Sequence, residues 1–256
     1  MNEQELLNMV DKVQKSGKID NFSYMKTRKL LRSIEKKTQL ARYLHMLIQR
    51  LDFFTFEKWR DIEASHGGVK HVIELKGISI HILNKNDYDF VINILLDSYF
   101  SNLVAGIDFL CGIIDIFYEF SDPSRKPPYL FNIKNMLSDK LPKHELTELI
   151  STEYADDTIT WLRTLKELKN QLHHGNINIG RMIYESEFND PLKGKASLIL
   201  NEDFFGDSIG EEKREVNYFC GEVLEKTELF ISEIYGILIK DLKTKNRIPI
   251  YRLREL

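Results

Sequence analysis

No proline occurs before Pro123; the six in the chain are Pro123, Pro127, Pro128, Pro142, Pro191 and Pro249. Inside a helix proline costs about 3 kcal/mol, because it lacks the backbone donor and its ring collides with the preceding turn. The first 122 residues are therefore open to long helices, and the apolar spacing uses that freedom. Glu3 to Lys15 reads as a short helix closed by Ser16-Gly17. From Tyr24 to about Glu63, Leu30, Leu31, Ile34, Leu40, Leu44, Leu47, Ile48 and Leu51 recur at steps of three and four. That spacing predicts one long or two consecutive amphipathic helices. His66-Gly67-Gly68 ends the block, as glycine commonly does after a helix.

Val69 to Leu83 changes period. Ile78, Ile80 and Ile82 alternate with Ser79 and His81, and Gly77 marks a turn, which suggests a small hairpin. Asp87 to Phe120 is apolar over most of a helical circumference, the pattern of a helix in the middle of a bundle. After the breaker-rich Ser121–Pro128, shorter helices are expected near Leu130–Lys140 and Lys143–Thr152. Ala155 to His174 reads as another helix, with Asp156 and Asp157 suited to its N-terminal dipole. Met182, Tyr184 and Ser197–Leu200, separated by Asn189-Asp190-Pro191 and Gly194, suggest a hairpin within Asn176–Gly206. Glu211 to Lys243 is the last long helix, and Thr244 to Leu256 is a basic tail. The expected fold is mainly α, a helical bundle with one or two small β-hairpin insertions. Residues 1–68 form an N-terminal helical segment packed on the bundle, and 69–256 the main domain, with its hairpin near 177–206.

Composition narrows the function classes. Hydrophobic residues make up 43% and charged ones 29%, which excludes wholesale disorder. Lys and Arg number 36 against 39 Asp and Glu, a net charge of −3. That sum argues against tight nonspecific binding to nucleic acid. Two cysteines, Cys111 and Cys220, exclude a disulfide framework and a four-cysteine zinc site, and both sit in apolar helical patterns. The acidic start, Met1-Asn2-Glu3-Gln4-Glu5, does not read as a signal peptide. Leu103–Phe120, the most apolar stretch, carries Asp108, Asp115 and Glu119, whereas a bilayer span needs about 20 mainly apolar residues. A cytoplasmic protein without a membrane partner is expected.

Trp161-Leu-Arg-Thr-Leu-Lys-Glu-Leu-Lys169-Asn170-Gln-Leu-His173-His174-Gly175 is the most informative segment. At about 100° per residue, Trp161, Leu165, Leu168 and Leu172 fall within about 60° and form a core seam. Arg163, Asn170 and His174 lie on the far side, His174 about 150° from the seam centre, with Lys169 and His173 as a flanking stripe. The C-terminal end of this helix thus offers Lys, Asn and two His outside its own core contacts.

Lys169-Asn170-x-x-x-His174-Gly175 resembles the signature of the HEPN superfamily: Arg, a polar residue that is often Asn, three or four others, then His. The resemblance implies a helical bundle that pairs so that two motifs face each other across a cleft. It also implies a metal-independent endoribonuclease of a toxin–antitoxin, phage-defence or RNA-processing system, with an antitoxin-type protein among its partners and no cofactor. His174 matches the motif histidine and Asn170 its polar position. Lys169 stands where the family has Arg; it keeps the charge but loses the fork that grips a phosphate bidentately. The motif covers seven residues, and the general helical pattern extends the likeness, less specifically, over Asp87–Lys243. Metal-free cleavage of RNA needs a base for the 2′-OH, an acid for the leaving 5′-oxygen and a cation for the phosphoryl charge. Histidine serves either proton role near neutral pH. His173, one residue away, is a further candidate. A catalytically silent HEPN-like domain that binds RNA, a nucleotide or a protein is the alternative.

The same residues also suit plain helix termination, since Lys and His favour the last turn and Gly the position after it. Asp97, Ser101, Asp108, Asp115 and Glu119 follow one another at steps of 4, 7, 7 and 4 on the central helix. Either that stripe faces solvent or it brings Asp108 toward His174 as an orienting group or base. Gly175-x-x-x-x-Gly180-Arg181 lacks the Lys and hydroxyl of a phosphate loop. His173 and His174 are too close in sequence to chelate one metal from a helix, so no metal is expected. His45, His71, His81 and His144 are isolated and read as structural or surface residues.

Charge is also uneven. Lys12 to Arg60 holds thirteen Lys/Arg and four Asp/Glu, near +9, while Glu202 to Asp241 holds eleven acids and four bases, near −7. Lys26, Arg28, Lys29, Arg32, Lys36 and Lys37, with Arg42 and the aromatics Phe22, Tyr24 and Tyr43 nearby, form a candidate RNA-binding face. The alternative is that this block pairs with the acidic last helix, within the bundle or across a dimer.

Overall fold

The computed structural model describes residues 3–17, 19–52, 71–75, 78–82, 85–121, 126, 128–155, 159–173, 180–187, 190–202, 205 and 211–244. The fold is mainly helical, with two antiparallel hairpins. In chain order the elements are α1 Glu3–Lys15, α2 Asn21–Asp52, β1 His71–Leu75, β2 Ile78–Ile82, α3 Lys85–Tyr118, α4 Leu130–Lys140, α5 Glu145–Glu153, α6 Trp161–His173, β3 Gly180–Glu187, β4 Asp190–Leu200, α7 Glu211–Arg214 and α8 Val216–Thr244.

These boundaries follow local chemistry. Helix α1 ends where Ser16 turns its hydroxyl back to the Val13 carbonyl and Gly17 takes a φ of 71°, a conformation that suits a residue without Cβ. Strand β1 pairs β2 with Ile73 opposite Ile80. Strand β3 pairs β4 from Gly180–Leu200 onward, with a register shift at Ser186/Glu187. Two expectations need correction. Helix α6 starts at Trp161 and not near Ala155, because α5 runs to Glu153 and Tyr154 closes it by donating its N–H to the Ile150 carbonyl. The last helix is interrupted at Glu215, whose backbone bridges Ile199 of β4, so a short α7 precedes α8. Residues 53–63 of the expected second helix, the Gly67-Gly68 stop, Gly77, Asp156, Asp157, Asn189 and the tail from 245 lie outside the described residues.

The chain forms two compact units, each assembled from separated segments. One comprises Met1–Gln39, Asn102–Thr160 and Glu225–Leu256; the other comprises Leu40–Ser101 and Trp161–Leu224. The first unit buries Leu6 of α1, Leu31 and Ile34 of α2, and Leu103, Ile113, Ile114 and Phe117 of α3. Ile133, Leu137, Leu146, Ile150, Ile234 and Leu238 complete that core. A polar cluster lies within it. The Tyr118 hydroxyl donates to Asp241 of α8, and His144 Nε2 sits 3.1 Å from the same carboxylate oxygen. His144 Nδ1 accepts the Leu146 N–H at 3.1 Å and so caps α5 with its ring. Nδ1 is therefore unprotonated, and the Nε2 proton is directed at Asp241. Burial, reinforced by the Asp241 carboxylate, drives the Tyr118 pKa far above its ordinary value. At the surface of this unit Lys240 pairs with Glu145, and Lys243 with Glu5 at 2.8 Å.

The second unit centres on aromatic packing. Tyr99 and Phe100 meet edge to face at 5.3 Å, Phe100 meets Phe219 at 6.2 Å, and Phe205 meets Phe219 at 5.2 Å. The Tyr99 hydroxyl donates to the Cys220 carbonyl. Leu44, Leu47, Ile48 and Leu51 of α2 and Leu162, Leu165 and Leu168 of α6 are buried in the same unit. Buried Arg214 donates to the Leu200 carbonyl at 3.1 Å and lies 3.8 Å from Glu202, which ties β4 to α7. Cys111 and Cys220 are buried and not joined in a disulfide, as their apolar settings imply. Within α3, Phe90–Tyr118 is long and apolar enough to cross a membrane by length and composition, and 72% of its most apolar stretch is buried inside the protein.

Replacing His144 removes both a cap and a partner of a buried carboxylate, whereas Tyr118→Phe removes one hydrogen bond. His144→Ala is expected to cost about 2–4 kcal/mol and Tyr118→Phe about 1–2 kcal/mol, read from urea unfolding.

Candidate functional site

Helix α6 sets the geometry of the motif. Its buried side chains are Leu162, Thr164, Leu165 and Leu168. Trp161 and Leu172, expected in the seam, are only half-buried, while Leu162 and Thr164 widen it on either side. The buried face still points in about the direction the apolar spacing gives. Lys169 and Asn170 are half-exposed, and Arg163 and His173 are exposed. Among the described residues the side chains of Lys169 and Asn170 have no hydrogen-bond or ion-pair partner. Their neighbour Gln171 is engaged with Glu167 at 2.8 Å. In the last two turns a cation and an amide thus have no partner among the described residues, with exposed His173 beside them. His174 and Gly175 lie outside the described residues.

The acidic stripe of α3 divides. Asp97 is half-buried and within 3.5 Å of the Ser101 hydroxyl, in the same unit as α6. Asp108 is half-buried and belongs to the other unit, where its charge acts on Lys126. Asp115 departs from the solvent-facing alternative, being 2% exposed. Its Oδ2 accepts from the Ser121 hydroxyl at 2.6 Å, and its Oδ1 has no hydrogen-bond partner among the described residues. Burial raises its pKa, against the lowering effect of the Ser121 hydrogen bonds and the charges of Lys26 and Lys140. Nearby Glu119 has a φ of 49°, as α3 unwinds into the following loop. Sequence spacing places these groups on one stripe, but the packing around Asp115 is set by residues distant in the chain.

The six cations of the candidate RNA-binding face also divide. Lys37 Nζ donates to Asn102 Oδ1 of α3 at 2.9 Å. Arg28 donates to the Tyr24 hydroxyl at 2.7 Å, lies over its ring, and is 4.0 Å from Asp11. Half-buried Lys26 exerts its charge on Asp115. Lys29, Arg32 and Lys36 are exposed, and among the described residues their side chains have no partner. With Met25, Arg28 and Ser33 these three line a groove of about 400 Å³ along α2. The block is thus part internal scaffold and part open cationic surface.

His144, isolated in sequence, is the capping residue bound to Asp241, a structural role. No local signal announces its partners, which stand 26 residues upstream, at Tyr118, and 97 downstream, at Asp241. Among the described residues no group of three or more His, Cys, Asp and Glu is arranged to hold a metal ion. Comparison with family models, curated proteins and solved structures finds no match to this chain.

The Asp115 environment has a signed consequence. Below the ordinary carboxyl range, Asp115 is protonated both folded and unfolded and carries no penalty. As pH rises through the unfolded pKa toward the raised folded one, the unfolded chain releases its proton first and stability falls. Asp115→Asn is expected to raise Tm above wild type at pH 7, with the gain shrinking toward zero near about pH 3. A thermal-unfolding series across that range measures it.

Proposed function

We propose that the chain is a HEPN-like, metal-independent endoribonuclease that acts as a homodimer, with the end of α6 as its site. The observation that carries the reading is the half-exposed Lys169–Asn170 pair, whose side chains have no partner among the described residues, followed by exposed His173. In this reading Lys169 neutralises charge on the phosphoryl oxygens and Asn170 positions the phosphate. His174 moves the proton at the 2′-OH or the 5′-oxygen, with His173 as the neighbouring candidate. Two copies supply an acid and a base together. The reading carries with it a cytoplasmic setting in a toxin, phage-defence or RNA-processing system, in which an antitoxin-type protein restrains the site.

A second reading is favoured by one observation, the Lys at the position where the family has Arg. A point charge holds a phosphate without the bidentate grip that orients it, and that suits a domain that binds RNA without cutting it.

The purified chain is expected to cleave RNA in EDTA and to leave 2′,3′-cyclic phosphate ends. His174→Ala is expected to lower the rate by about 10²–10⁴-fold, the usual worth of one acid–base group. Lys169→Arg is expected to raise the rate, and Lys169→Ala to reduce it. Wild-type cleavage that persists unchanged in His174→Ala removes that residue from the chemistry. Salt-dependent binding with no turnover, in wild type and Lys169→Arg alike, selects the second reading.

A further inference from the structure

Helix α2 carries a second feature that the α6 site does not use. Phe22, Met25, Lys29, Arg32 and Lys36 succeed one another at steps of three and four, so they fall on one stripe about 80° wide. Phe22 and Met25 are each 58% exposed, unusual for side chains of that size at the start of a packed helix. Lys29, Arg32 and Lys36 follow as exposed cations with no partner among the described residues. Met25, Arg28 and Ser33 join them around the groove. The opposite side of α2 is anchored in this unit by buried Leu30, Leu31 and Ile34, and Lys37 is bound to Asn102, so the orientation of the stripe is fixed.

We infer that this groove holds the sugar–phosphate backbone of single-stranded RNA, with Phe22 stacking on an unpaired base. The cations advance along the helix axis by about 4.5 and 6 Å, the scale of one nucleotide step in an extended strand. The aromatic lies about two turns, about 10.5 Å along the axis, before the first cation, at the end of the row. A charged row ending in an exposed ring is how single strands are held: phosphates give affinity, and a splayed base stacks on the ring. A duplex keeps its bases stacked and offers nothing to Phe22. Recognition of an anionic membrane draws on clusters of about 4–8 cations. Here three have no partner among the described residues and Arg28 is shared with Tyr24 and Asp11. The choice of RNA among polyanions rests on the endoribonuclease reading; the strand-holding geometry does not.

The test uses the full chain in EDTA and a fluorescein-labelled 2′-O-methyl RNA oligomer, which lacks the 2′-OH needed for cleavage. Anisotropy then reports binding alone. Three single-strand phosphate contacts contribute a slope of about −2 to log K against log salt, about a 20-fold loss of affinity between 50 and 200 mM. The combined variant Lys29→Gln, Arg32→Gln, Lys36→Gln keeps good helix formers at exposed sites. It is expected to lose that salt-dependent component while retaining the wild-type circular dichroism. Phe22→Ala is expected to weaken single-strand binding by about fivefold or more and to leave duplex binding unchanged. Lys169→Ala is expected to leave at least the groove's share of the slope in place. If the triple variant binds with wild-type affinity and salt slope, the inference is overturned. Phosphatidylserine vesicles that bind through the same three cations, with no oligomer binding, overturn it equally. Oligomer binding that depends on the groove, with no cleavage of ordinary RNA by wild type, retains the groove and removes the proposed activity.

Discussion

Burial of α3 is the constraint on which the rest of the structure depends. A helix apolar over most of its circumference has no stable solvent face, so other elements must cover it. In one unit it contributes Leu96, Tyr99 and Phe100, and in the other Leu103, Ile113, Ile114 and Phe117, all nearly inaccessible to solvent. Each such side chain contributes about 1.5–3 kcal/mol when taken out of water. The helices around them are amphipathic because each has one face committed to a core. That leaves the opposite faces of α2 and α6 to carry polar chemistry.

Polar groups enter these cores only with partners or at a cost. Tyr118, Asp241 and His144 satisfy one another and fix the start of α5. Tyr99 finds the Cys220 carbonyl, and Arg214 finds the Leu200 carbonyl. Asp115 is one counterexample: one carboxylate oxygen is held by Ser121 while the other is buried with no hydrogen bond among the described residues. An unsatisfied buried acceptor costs about 1–3 kcal/mol. The Lys26 and Lys140 charges offset part of that cost and link the basic stretch of α2 to the acidic stripe of α3.

Much of this was legible in the linear pattern because helix and strand periods are local. The isoleucines of β2 and the termination of α1 at Ser16-Gly17 needed only neighbouring residues. The start of α6 was misplaced because Asp156 and Asp157 suggested an earlier N-terminus, while Tyr154 is taken up in closing α5. The break at Glu215 depends on a backbone bridge to Ile199, and no local pattern encodes a partner in another element. On α6, Lys169 and Asn170 are half-exposed and His173 is exposed, and spacing alone does not say whether they act together. It could not divide the cations of α2 into internal and open ones. Lys36 and Lys37 are adjacent and chemically identical, yet one lines the groove and the other binds Asn102.

By itself, the sequence determined the helical class, the presence of one or two small hairpins and the approximate direction of the buried face of α6, because proline placement and apolar period act within a few residues. Only the tertiary structure decided which separated segments share a core. It also decided that Asp115 is buried, that His144 is a cap bound to Asp241, and that Lys29, Arg32 and Lys36 form an open row. The physical reason is common to all of these. A side chain's solvation and partners depend on what packs against it from elsewhere in the chain, and a period records only that it faces inward or outward.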